Sequence, residues 1–134
     1  MVENQDELKI GIGDEEATTL KPEKMKILSV KIEPVGERND KGEVIKKKGE
    51  KVSCEVKHSQ AEEPIHISAI KYENKGKLDV SGLWLNKDSK GLIRKGSALA
   101  TFLKSLDCQS IEELKDKEVM TLTDDKGYLV FKAY

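Results

Sequence analysis

The sequence predicts a mainly β fold with one principal helix, and three observations carry that expectation. Leu28, Val30 and Ile32 alternate with Ser29 and Lys31, and Val52, Cys54 and Val56 alternate with Ser53, Glu55 and Lys57. That two-residue period is the signature of a half-buried strand. The segment ALATFLKSL, residues 98–106, instead spaces Leu99, Phe102, Leu103 and Leu106 as one face of a helix. Glycine-containing turn signals such as DKG, KKG and NKG separate the strand-like runs.

Taken in order, residues 1–22 carry scattered apolar positions and read as an acidic, disordered tail; Pro22 marks entry to a single domain over 23–134. Residues 24–35 form the first strand, with Pro34 and Gly36 marking a bulge or its end. Residues 37–50, ERNDKGEVIKKKGE, have few apolar groups and read as a long hairpin loop. A second strand follows at 52–56, and a third at 65–72 that buries parts of both faces. The run LDVSGLWLN places Leu78, Val80 and Trp84 on one side, with a bend at Gly82. Ser97 is positioned to cap the helix, and Ser110 with Glu113 forms a capping box for a short second helix. A strand near 119–123, the turn TDDKGY and a last strand at 128–134 complete the chain. Three strands, a helix and two strands is the order of a small OB-like β-barrel, with the helix closing one end and the third strand here split in two around residues 73–77. The alternative is an open α+β sheet with a helix on one face.

Composition narrows the function. Of 134 residues, 37% are apolar and 37% charged, against a usual charged share of about 25%; the core is therefore modest and the exterior heavily solvated. The net charge of -1 divides unevenly: residues 1–22 hold six acids and two lysines, which leaves the remainder near +3. The start of the chain lacks the basic and apolar segments of a signal peptide, and no apolar run suits a bilayer, so a cytoplasmic location without membrane contact is expected. Cys54 and Cys108 have no CxxC spacing and are expected to be reduced and packed. His58 and His66 lack the tight pairing of a metal site and are expected at or near the surface. No nucleophile, metalloprotease or phosphate-loop motif occurs, so neither catalysis nor a cofactor is expected.

Basic residues carry the remaining signal. Lys46, Lys47, Lys48 and Lys51 cluster at the first long loop, and Lys87, Lys90, Arg94 and Lys95 cluster before the helix. Such groups can track a phosphate backbone through counterion release. Tyr72 and Trp84, then Tyr128, Phe131 and Tyr134, are the aromatics on which bases could stack.

The segment GLWLNKDSKGLIRKGSALATFLKSLDCQSIEELKDKEVMTLTDDKGYLVFKAY resembles small OB-like proteins of bacteriophages and archaeal viruses, in which a strand ending in tryptophan precedes a basic loop, an apolar helix and a hairpin. That resemblance implies single-stranded DNA binding. The expected partner is single-stranded nucleic acid. The alternative is a protein partner, with the chain acting as an assembly or inhibitor factor of a mobile element.

Overall fold

The computed structural model describes residues 8, 9, 11 and 20–134, so the expectation for the tail lies largely outside the described residues. The strands are β1 (Lys24–Arg38), β2 (Val44–Val56), β3 (Ile65–Ile67), β4 (Ala69–Asn74), β5 (Lys77–Gly82), β6 (Glu118–Thr123) and β7 (Leu129–Ala133); α1 (Ala98–Ser105) and a 3-10 turn (Ile111–Leu114) lie between β5 and β6. Mainly β with one principal helix is the class the sequence predicted, and among the described residues there is one α-helix. The seven strands form one sheet in the order β3-β2-β1-β6-β7-β4-β5, antiparallel throughout except for β4 beside β7.

The sheet is open, not closed into a barrel. Its physical cause is a break at Ser68. The run 65–72, read from the sequence as one strand, splits there: Ile65–Ile67 pairs with β2, whereas Ala69–Asn74 pairs with β5 and β7. No ladder then joins β3 to β5. The gap is stitched instead by isolated contacts just beyond β5. Leu83 donates its N–H to the Ser68 carbonyl (2.8 Å) and accepts from the Val52 N–H (2.9 Å), and the Leu85 N–H donates to the Glu50 carbonyl (2.8 Å).

The helix fills the concave side of this coiled sheet. Ser97 caps it as expected, its hydroxyl accepting from the Ala100 N–H at 3.2 Å. Leu99, Phe102 and Leu103 are buried against β4 and β7. Phe102 stacks on Phe131 with ring centroids 5.0 Å apart, a geometry that adds to simple area burial. Phe131 is therefore core and unavailable to bases. The expected second helix is only a 3-10 turn, because the Ser110 side chain makes no cap bond; Glu113 reaches back to the Gln109 N–H instead (2.6 Å). Both cysteines are free and buried, and burial pushes the Cys54 thiol up to about 12.

Residues 37–50 are not a loop. β2 begins at Val44 and pairs with β1 through three register shifts, two of them beyond Val35, leaving a turn at residues 39–43 in which the Asn39 side chain accepts from the Lys41 and Glu43 amides. Much of the β1–β2 pair has no other strand beside it, since β6 reaches only Lys24–Lys26 and β3 only Cys54–Val56. It forms a two-stranded arm.

The first described residues of the domain are tied down by a polar latch. His58 is fully buried rather than at the surface. Its Nδ1 accepts from the Gln60 N–H (3.0 Å), so its Nε2 carries the proton and donates to the Lys21 carbonyl (2.6 Å). Buried Thr121 exchanges hydrogen bonds with the Glu23 backbone, and the Glu23 carboxylate accepts from the hydroxyl and the amide of Ser59, both at 2.7 Å. Those two bonds, hydroxyl first, hold the Glu23 carboxyl below its ordinary value of 4.5. A carboxyl whose folded value is depressed stabilises the fold above its unfolded value and ceases to as pH falls through the folded one. Urea unfolding at stepped pH should therefore show wild-type stability falling below pH 4.5 more steeply than that of Glu23→Gln. Parallel acid limbs would show that the latch carboxylate contributes nothing.

Candidate nucleic-acid interface

Trp84 lies at the stitched seam. Along extended backbone successive side chains point to opposite faces, so with Leu83 fully buried inside, Trp84 is turned outward, where it is half-buried. It forms an antiparallel bridge with Lys51, whose Nζ stands 4.7 Å from the indole centroid, within cation–π range.

The indole can lie flat because glycine is beneath it. A Cβ on Gly49 would come within 3.2 Å of Trp84 Cζ3, and one on Gly82 within 3.1 Å of Nε1. An aromatic ring lying over strand glycines restores the contacts those positions lack. The ring is thus neither a core residue nor a free platform, but a surface group set on backbone.

The two basic clusters approach the seam from different sides. Lys46, Lys47 and Lys48 are exposed on the arm, with Lys46 opposite Glu37 and Lys47 opposite Gly36. Lys47 Nζ is 3.4 Å from the Glu50 carboxylate, an exposed pair of small energetic weight. Lys51 is half-buried at the ring. The second cluster begins three residues after Trp84. Its loop is a built structure: the Asp88 carboxylate accepts from the Lys90 and Leu92 amides (2.9 and 3.0 Å), and Lys87 bridges Ile93. Asp88, the acid that opposes the cluster in sequence, is aimed at the loop's own backbone. Arg94 donates to the Lys87 carbonyl at 3.1 Å, which leaves guanidinium donors over. Lys87, Lys90, Arg94 and Lys95 are all exposed.

Tyr72 does not join this surface. It shares a face of β4 with fully buried Ile70 and packs on the core, whereas Leu78, Val80 and Gly82 lie opposite Glu73, Lys71 and Ala69 on the other face. The sequence did not expose this distinction, because one residue of register decides which face a strand residue takes. Tyr128 and Tyr134 are exposed at the other end of the chain, and Lys132 Nζ lies 4.9 Å from the Tyr134 ring.

Among the described residues no helix is long and apolar enough to cross a membrane. Comparison with protein-family models, curated proteins and solved structures finds no significant match. The geometry alone is left to speak for function.

Seating the indole on glycine has a direct consequence. Gly49→Val should lift the ring off the sheet and shift the single tryptophan's emission to the red of wild type. An unchanged emission maximum would mean that the backbone at 49 does not support the ring.

Proposed function

We propose that the chain binds single-stranded nucleic acid, DNA foremost, as a non-catalytic module. The observation that carries this reading is the Trp84–Lys51 pair, a surface indole with an ammonium at its ring, joined along the chain to the basic arm through Lys51 and to the basic loop through Trp84. Single-strand binders combine a basic track for the backbone with aromatic faces for the bases. Here a base would stack on the accessible part of Trp84, and Lys51 would exchange the ring for a phosphate. That exchange costs about 0.5–2 kcal/mol, the range of a cation–π contact between exposed and desolvated sites. Lys46, Lys47, Lys48, Lys87, Lys90, Arg94 and Lys95 would supply the remaining phosphate contacts through counterion release. Tyr72 has no part in it.

Titration of a labelled oligonucleotide in low salt tests the proposal. Binding should weaken steeply as salt is added, and Trp84→Ala should weaken it roughly 5- to 150-fold, the equivalent of about 1–3 kcal/mol for one stacked base. No binding at micromolar protein in low salt would overturn the reading.

One observation favours the second reading, a protein-interaction or assembly role. An open groove of about 850 Å³, with Leu92, Ile93, Leu103 and Ile111 among its lining residues, runs between the basic loop and the end of α1. A partner held after nuclease treatment of host extract, and released when Leu92 is replaced by Asp, would support that role. Loss of every partner to nuclease would discard it.

A further inference from the structure

We infer that the outer edge of β5 is a self-association surface through which two copies of this chain pair strand to strand. β5 ends the sheet order, and among the described residues no strand pairs with its outer edge over residues 77–81. An uncovered edge offers a row of backbone donors and acceptors to any extended partner. This edge is also regular. The β4–β5 register runs from Ala69 opposite Gly82 to Asn74 opposite Lys77 without a shift. It is closed by a two-residue turn in which Lys75 and Gly76 both have positive φ, 52° and 81°, the requirement of a tight hairpin turn. There is no bulge and no proline to blunt it.

The side chains name the occupant. Leu78 and Val80 share one face and remain 48% and 47% exposed, while Lys77 and Asp79 lie on the other. In an antiparallel pair with its two-fold axis at Leu78, Lys77 of each copy stands opposite Asp79 of the second copy, so the charges match twice. Leu78 meets Leu78 of the second copy, and the Val80 side chains flank that contact. A strand from another protein would need a matching order of charges, whereas a second copy supplies it by symmetry, in the isologous arrangement that most dimers use. One strand pair buries far less than the roughly 1,200–2,000 Å² of a stable interface. The dimer is accordingly weak, forming at high micromolar concentration and favoured by low salt.

Sedimentation velocity of the full chain without nucleic acid tests this independently of any nucleic-acid binding. Wild type should move from monomer toward dimer as concentration rises. Lys77→Asp alone and Asp79→Lys alone should each remain monomeric, because like charges then stand opposite. An equimolar mixture of the two variants should dimerise again, a rescue that a misfolded variant could not give. A wild type that stays monomeric at every concentration overturns the inference. So do single reversals that leave the dimer intact, or a mixture that fails to restore it.

Discussion

Leu83 is the residue through which the two ends of the sheet are held together. Its N–H donates to the Ser68 carbonyl, its carbonyl accepts from the Val52 N–H, and its side chain is fully buried. The chain leaves β2's edge at Ser68, makes the β4–β5 hairpin, and returns to that edge at Leu83. Each backbone bond is worth only about 0.5–1.5 kcal/mol net, and burying the leucine adds roughly 1.5–3 kcal/mol. Their effect is nonetheless global, since apart from this seam, which the Leu85–Glu50 bond extends, β4 and β5 meet the rest of the sheet through the three-residue parallel pairing of β4 with β7.

The outward position of Trp84 follows from that constraint. A buried Leu83 forces its neighbour to the opposite face, directly across from Lys51. The same passage through the seam carries the chain into the 86–95 loop, so the indole, the arm and the basic loop become neighbours through one backbone path. Had the sheet closed with a full ladder at this point, β5 would have had no outer edge left. The open edge and the surface indole thus share a cause.

Local periodicity made much of this legible. The helix, its Ser97 cap and the presence of β1 and β2 can be read from spacing alone, because each depends on nearby residues; the buried side of β1 cannot, since a register shift after Ile27 leaves Met25 and Ile27 in the core and Ile32 exposed. The arm could not, since Lys46, Lys47, Lys48 and Gly49 break the alternation; that stretch becomes strand by pairing with β1, and strand formation depends heavily on such context. The split at Ser68 was hidden for a related reason: IHISAIKY is uniformly strand-like, and only distant partners decide that its halves go to different neighbours. His58 looked like a surface histidine because its partner is the Lys21 carbonyl, a backbone group with no signature in sequence. Trp84 and Tyr72 were equally good aromatic candidates until register put one outside and the other on the core.

The charge arrangement around Trp84 is what the proposed function draws on. Among the described residues, Lys47 is the one member of the eight basic candidates that makes an ion pair, and that pair is exposed. Asp88 turns its carboxylate to backbone amides, and Lys51 has an aromatic ring where an acid would neutralise it. Elsewhere on the same sheet, Lys24, Lys26 and Lys31 each find a carboxylate within 4 Å. A solvated surface of mixed charge tends toward such local neutralisation. Lysines without an ion pair also occur elsewhere on the chain, so the proposed function rests on the ring beside Lys51 more than on the missing ion pairs. Under the proposed function, a polyanion with flat, stackable groups would engage both the ammonium groups and the indole, whereas an acidic peptide would answer the charges and leave the ring unused.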